Sequence, residues 1–424
     1  MIEEILSRLP QSTIRMGLER IEGACAALGG PQGRYPSAIV AGTNGKGSTC
    51  AFLAAILEAA GLRVGLYTSP HLVSFRERIR TGGEPIDPEA LERAGGRLLR
   101  AWPALGRPGD PDALTYFEAA TALAFEAFAE ARVDVAILEV GLGGRLDATN
   151  VSGKRLVAAA VTRVGLDHTE YLGATLEAVA SEKARVARAG VPLVIAPQRP
   201  AALAAIRAHA DRIGAPVVEA PPLEGGEGGL RYRGPGGASG GLRLGLRGIH
   251  QRENAAVAVA LARAIGEALA PGRIEAAIPV GLASARWPGR LEVVAEEPLF
   301  VLDGAHNPDG ALALASSFES AWPGVRPRLV FGVLGDKERL AMMRALFPLA
   351  SGVHLCAPPS SRAVPPALVA DEARRAGLGG APIECHPSVE DAVEAARGAA
   401  GRGGAVLICG SLYLVGAARA MLRP

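Results

Sequence analysis

The run Ala38-Ile39-Val40-Ala41, followed by Gly42-Thr43-Asn44-Gly45-Lys46-Gly47-Ser48 and then by Thr49 to Ala60, decides the fold of this chain. The first piece predicts a short buried strand, the second a glycine-rich turn, and the third a helix. A strand, a glycine turn, a lysine and a hydroxyl at a helix start make a site for a polyphosphate. Glycine lets the backbone wrap around oxygen atoms, and the N–H groups of the helix start point at them. Lys46 adds a full positive charge, and Ser48 is placed to reach a phosphate-bound Mg²⁺. Thr43, Asn44, Gly45, Lys46, Gly47 and Ser48 are therefore the candidate nucleotide-binding residues. The spacing departs from the usual P-loop, because Val40 stands where its first glycine would be. A glycine turn with a surface lysine is the plain alternative, and the strand before and helix after weigh against it.

Working outward, strand-like and Ala-rich helical stretches alternate. Predicted strands are Ala38 to Ala41, Val64 to Thr68, Val133 to Val140, Ala158 to Val164 and Pro192 to Ala196. Predicted helices include Thr49 to Ala60, Tyr116 to Glu130 and Leu176 to Ala189. Such alternation predicts a mostly parallel sheet flanked by helices. Residues 221–248 are Gly-rich, and the short pieces Leu230 to Arg233 and Leu242 to Leu246 predict a small antiparallel excursion before a helix from Gln251 to Ala270. Ala285 to Arg290 has the look of a linker. Beyond it the alternation restarts at Leu299 to Leu302, Arg328 to Val333, Gly352 to Cys356 and Ala405 to Cys409. The expected fold is α/β in two domains: residues 1–286, of P-loop type, and a smaller, Rossmann-like domain at 287–424.

Composition narrows the class. At 424 residues the chain has ample material for two cores. A formal net charge of +2 without any sustained Lys/Arg run argues against a nucleic-acid partner. No apolar segment reaches the roughly 18 residues needed to span a bilayer, and Met1 to Arg8 carries acids where a signal peptide would have an apolar core. The five scattered cysteines read as reduced thiols, so a cytoplasmic setting without membrane partners is expected.

Polar clusters follow the predicted strands, where open α/β sheets hold ligands. Thr68-Ser69-Pro70-His71-Leu72 follows one, Glu139 to Asn150 another, and Asp167-His168 a third; Glu182-Lys183 lies on the next helix. A carboxylate, a hydroxyl and an imidazole from successive strand ends can converge beside phosphates and hold Mg²⁺, which prefers oxygen. Each cluster alone has a plainer reading as a turn cap or a structural histidine. Their joint order after a phosphate loop favours the site.

With these motifs in place the chain closely resembles the folylpolyglutamate synthase/dihydrofolate synthase family of the Mur ligase superfamily. Matching segments are Gly17 to Ile21, Gly42 to Ser48, Thr68 to Leu72, Glu139 to Asn150, Asp167-His168 and Glu182-Lys183-Ala184. His250 to Ala255, Pro288 to Glu292, Leu302 to Pro308 and Gly410 to Leu414 continue the series in the family's order. The resemblance implies an ATP-dependent ligase that joins L-glutamate to a pteroate or folate carboxylate, with small-molecule substrates and a monomeric enzyme. It implies two Mg²⁺ ions, the first held by Ser69, Glu139 and Ser48 with the nucleotide, the second by His168. A monovalent cation is a further candidate. Lys183 matches the family's carbamoylated lysine, whose added carboxylate is a ligand. Asn254, Arg290 and Asp303 match positions that contact ATP. Thr115, Phe117, Leu146, Asp147 and Ala148 match the pteridine side of members that use dihydropteroate. Lys46, Lys183 and His306 are the implied catalytic residues, and Asp336-Lys337 is a weaker candidate for handling glutamate.

Amide formation from a carboxylate needs activation as an acyl phosphate. The attacking carboxylate and the γ-phosphate repel by ~4 kcal/mol at 4 Å and an effective dielectric near 20, so cations must bridge them. A cleft closed by two domains, with Arg290 in the connecting stretch, is expected to keep water from the intermediate. A cell-wall Mur ligase is the nearest rival, but only 41 residues precede Gly42, fewer than its extra domain needs. A nucleotide-controlled switch would need none of Glu139, His168, Lys183 or Asp303. Thr68 to Leu72 and Gly144 to Ala148 look like the bifunctional members, whereas Arg15 departs from their usual acidic residue. Both folate reactions, or polyglutamate extension alone, therefore remain the two expectations.

Overall fold

The computed structural model describes residues 2–9, 15–106, 110, 112–226 and 229–423. The chain divides into two compact units, one of residues 1–245 and 252–286, the other of residues 246–251 and 287–424. The short segment 246–251 thus leaves the first unit for the second before the chain returns.

The first unit is built on an eight-stranded sheet: β1 (Ser37–Ala41), β2 (Val64–Tyr67), β3 (Ile79–Thr81), β4 (Glu84–Pro85), β5 (Val135–Glu139), β6 (Leu156–Val161), β7 (Leu193–Ile195) and β8 (Val217–Glu219). Their order is β4-β3-β2-β5-β1-β6-β7-β8. At one edge β3 pairs antiparallel with both β2 and β4, and the other neighbours run parallel. Every residue of β1, β2 and β5 is buried, as expected of strands covered on both faces. The helix Lys46–Ala59 follows β1 and is buried along most of its length. It packs so closely on the helix Ile274–Ser284 that a Cβ on Gly281 would lie 2.4 Å from the Ile56 Cα. Tyr67, Phe125 and Phe128 are among the fully buried side chains of this core. A three-stranded antiparallel piece, β9 (Glu224–Gly226), β10 (Gly229–Gly234) and β11 (Gly237–Leu242), precedes the helix Gln251–Leu269.

The second unit holds a six-stranded sheet of β12 (Glu292–Glu296), β13 (Leu299–Leu302), β14 (Arg328–Phe331), β15 (Gly352–Leu355), β16 (Ile383–Cys385) and β17 (Ala405–Cys409). The order is β12-β13-β17-β14-β15-β16, parallel except for the antiparallel β12. Phe318 and Phe331 anchor its core.

Several expected boundaries move, and three of the shifts have a local cause. The helix after the phosphate loop starts at Lys46 instead of Thr49, because Gly45, at φ +91°, makes the turn just before it. The helix from Leu176 ends at Ala184, where Val186 and Ala187 switch to short bonds three residues back. Leu242 to Leu246 is not a strand beyond Leu242. The Gly245 N–H instead donates to the Leu282 carbonyl at the end of a helix.

Candidate active site

Parallel pairing brings the chemistry-bearing residues to one edge of the first sheet. Val40 is in register with Glu139, Ala41 with Val161, and Tyr67 with Leu138. The segments leaving β1, β2, β5 and β6 therefore emerge side by side: Gly42 to Ser48, Thr68-Ser69, Glu139 to Asn150, and Thr162 to His168. The chain order reverses around β1 here, the switch point at which such sheets bind ligands.

The phosphate loop is held from beneath by the stretch after β6. The Thr43 and Asn44 N–H groups donate to the Arg163 carbonyl at 3.0 and 3.2 Å, and the Thr43 hydroxyl donates to the Gly165 carbonyl at 3.0 Å. The Thr162 hydroxyl donates to the Asn44 carbonyl at 2.8 Å. Two glycines are sterically required. At Gly42, φ +147°, a Cβ would lie 1.8 Å from the Thr162 Oγ1, and at Gly45 a Cβ would lie 2.2 Å from the Asn254 Oδ1. Asn254 thus closes over the turn while Ser48 is buried at the helix start. Lys46 folds back and donates to the Gly42 and Thr43 carbonyls, both at 3.1 Å.

Lys183 reaches the same place from another helix. Its Nζ is buried and donates to the Gly42 carbonyl at 2.9 Å. Burial, and then the nearby Lys46 charge, pull its amine down to about 7 from an ordinary 10.5. Glu139 is buried at the end of β5, and its Oε2 accepts from the Ser69 N–H at 2.9 Å. A buried carboxylate beside a serine suits a hard cation such as Mg²⁺, and an amine that has lost about half its protons at neutrality suits carbamate formation. His168 takes a left-handed conformation, φ +52°, as its N–H donates to the Asp167 carboxylate at 3.0 Å.

The loop after Glu139 is organised by Asp147. One carboxylate oxygen accepts from the Gly141 and Leu142 N–H groups, both at 2.9 Å; the other accepts from the Thr149 N–H and hydroxyl at 3.0 and 2.6 Å. Ala148 is buried behind it and Leu146 is half-buried. A Cβ on Gly144 would sit 2.5 Å from the Glu182 carbonyl, so the loop lies directly against the Lys183 helix. Thr115 caps the helix Tyr116–Ala131 in a capping box with Glu118. Phe117, half-buried, faces Gly141, where a Cβ would be 2.6 Å from its ring. Arg20 binds Glu118 at 2.8 Å and also the Arg15 carbonyl at 2.9 Å, which ties Gly17 to Ile21 to this corner.

In the second unit, the buried Asp303 accepts from the Leu291 and Ala305 N–H groups, each at 2.9 Å. Arg290 lies over Gly304, where a Cβ would be 2.1 Å from its Nη1. The His306 Nδ1 is 2.7 Å from the Gly304 carbonyl. A carbonyl only accepts, so Nδ1 carries a proton. Asp336 sits between Lys337 at 3.6 Å and Arg362 at 3.5 Å.

Comparison with known proteins decides the family. Residues 40–218 match the Mur ligase middle domain, and residues 289–412 match the Mur ligase glutamate ligase domain. The dihydrofolate synthase/folylpolyglutamate synthase of Bacillus subtilis is 35% identical over 97% of this chain and 96% of its own length. This chain belongs to the folylpolyglutamate synthase family of the Mur ligase superfamily. A probable bifunctional folylpolyglutamate synthase/dihydropteroate synthase of Halobacterium salinarum is 40% identical over 95% of the chain, which spans only 49% of that longer relative. Among solved structures, Escherichia coli FolC in complex with DHPP and ADP superposes with a TM-score of 0.87 at 34% identity, covering 99% of this chain and 96% of that one.

Some supports of the phosphate loop carry no local signal in the sequence. Thr162 and Arg163 hold the phosphate loop, and Gln198 holds them in turn, donating to the Thr162 carbonyl at 2.9 Å and accepting from the Val164 N–H at 3.0 Å. No local pattern marks these residues; only the strand order brings them there. His71 lies within the Thr68 to Leu72 motif. Its Nδ1 accepts from the Arg78 Nε at 2.8 Å, and burial with the Arg78 charge holds it down at about 4. Arg78 in turn lies 5.0 Å over the Tyr116 ring. All five cysteines are free, and among the described residues no helix is long and apolar enough to cross a membrane.

Proposed function

We propose that this chain is an ATP-dependent ligase that joins L-glutamate to dihydropteroate and to folates through an acyl phosphate, releasing ADP and phosphate. The observation that carries the reading is Lys183, a buried amine of low proton affinity held against the phosphate loop. A plain nucleotide binder has no use for such a group. Family membership and the full-length match to a bifunctional relative supply the substrate class.

In this reading Lys46 leaves the Gly42 and Thr43 carbonyls to meet the phosphates, while the Thr43 to Ser48 backbone cradles them. Asn254 closes over the turn, and Arg290 and Asp303 match the family's ATP-contacting positions. Ser69, Glu139, Ser48, His168 and the carbamate of Lys183 would hold two Mg²⁺ ions, which supply charge compensation at the transferred phosphoryl group. Phe117 and Leu146 offer the apolar surface for the pterin, positioned by Thr115, Asp147 and Ala148. His306, with Nδ1 committed to the Gly304 carbonyl, can use Nε2 to take a proton from the glutamate ammonium, which must lose one before its amine attacks. The protein is read as a cytoplasmic monomer.

The test supplies ATP, glutamate and dihydropteroate and looks for the new amide by mass spectrometry. Phosphate release without an amide would refute the ligase. An amide formed only from a reduced folate would leave the extension activity alone. Lys46→Ala should abolish product formation, and Lys183→Ala should recover part of it with added short-chain carboxylates.

A further inference from the structure

His354 lies on β15 and Glu384 on β16, in register as direct neighbours of a parallel pair. His386 follows two residues after Glu384, so the three side chains share one face at the edge of the second sheet. The rings of His354 and His386 stack with centroids 5.2 Å apart. His354 Nδ1 stands 3.1 Å from His386 Nε2, and each nitrogen is 3.9 Å from the Glu384 Oε2. His354 is only 2% exposed and its Nε2 has no hydrogen-bond partner, so Nδ1 is the one polar contact of a buried ring. Among the described residues, no other trio of His, Cys, Asp or Glu places its ligand atoms within 4.8 Å of one another.

Two imidazole nitrogens on one tetrahedral zinc ion, with bonds of about 2.05 Å, stand about 3.3 Å apart. The observed nitrogen pair already has nearly that separation. The carboxylate needs to close by a few tenths of an ångström, and Glu384, with its side chain 58% exposed, is free to do so. We propose that His354, His386 and Glu384 form a site for one divalent transition cation of the zinc class, with water as the remaining ligand. Imidazole-rich donors favour zinc, copper, nickel or cobalt over Mg²⁺. Bound there, the ion fastens the three-residue edge strand β16 to β15. The strands β17, β14 and β15 separate this edge from β13, which leads into Asp303.

The test is equilibrium dialysis of the metal-stripped chain against Zn²⁺ in excess Mg²⁺, with metal counted by mass spectrometry. Wild type should retain one Zn²⁺ through these residues. His386→Ala should weaken that binding by more than the roughly 10–100-fold that loss of an outer-shell partner costs. Glu384→Gln, at an exposed position, should also weaken it without disturbing the fold. Zn²⁺ should raise the melting temperature of wild type and leave that of His386→Ala unmoved. Both variants should keep wild-type ligase turnover, since neither residue belongs to the ligase site. Equal zinc binding by wild type and both variants, or none at micromolar Zn²⁺, would overturn the site and leave a plain imidazole–imidazole hydrogen bond.

Discussion

Consider Lys183→Met in buffer stripped of carbon dioxide. The lysine amine titrates at about 7 when folded, against 10.5 for a free side chain. Each pH unit is 1.36 kcal/mol, so at pH 7 holding this group costs the folded chain about 4 kcal/mol. The hydrogen bond from Nζ to the Gly42 carbonyl offsets about 1 kcal/mol of that. Methionine fills a similar volume without charge, which leaves a net gain of about 3 kcal/mol for the variant at pH 7. The sign follows from proton counting. Between about 7 and 10.5 the unfolded lysine binds a proton that the folded one has released, so wild-type stability climbs with pH across that window. The methionine variant lacks this slope. Its advantage should be full near pH 7 and below, and should vanish as pH approaches 10.5.

Urea unfolding followed by circular dichroism at a series of pH values reads this directly, with midpoints compared at unchanged slope. The variant should be inactive as a ligase and more stable. A variant less stable than wild type at pH 7 would refute the reasoning, and so would a difference that does not change with pH. Restoring carbon dioxide should stabilise wild type alone, because a carbamate replaces the buried amine.

Three further perturbations test other parts of the site. Gly45→Ala places a Cβ 2.2 Å from the Asn254 Oδ1 in a left-handed turn; a cost of about 1–3 kcal/mol and a raised KM for ATP are expected, and wild-type kinetics would contradict them. His71, held at about 4 against an ordinary 6.5, contributes stability present above 6.5 and lost as pH falls toward 4, by about 3 kcal/mol at most. His71→Gln should flatten that acid limb of the unfolding midpoint. Asp147→Asn keeps only one oxygen to serve four donors, so hydrogen exchange at Gly141 and Leu142 should speed up and KM for dihydropteroate should rise more than KM for ATP.

What the sequence made legible was whatever depends on near neighbours. Gly42 to Ser48 reads as a phosphate loop because strand, turn and helix start are contiguous, and the buried strands announce themselves as apolar runs. What it concealed depends on pairing at a distance. Leu242 to Leu246 alternates like a strand, yet the Gly245 N–H finds the Leu282 carbonyl, and no local feature foretells that partner. Thr162, Arg163 and Gln198 look like ordinary strand-end residues until β6 is placed beside β1. Asp147 reads as a pocket residue, but its four hydrogen bonds are all to its own loop, so it shapes the site from behind.

The meeting of two lysines at one carbonyl is the least economical feature of the first unit. Lys46 and Lys183 both donate to the Gly42 oxygen, and the Lys46 charge raises the cost of charging Lys183. A stable fold has no need of this: an apolar residue at 183 would pack in the same space without a buried amine, and Lys46 would then face no like charge. The arrangement becomes favourable only when anions arrive. In the proposed reaction a polyphosphate in the turn would neutralise Lys46, and a carbamate would turn Lys183 from a competing cation into a carboxylate. The stability given up to keep this amine buried is then the measure of how strongly the site is built for negative occupants, and it is the same quantity that Lys183→Met should recover.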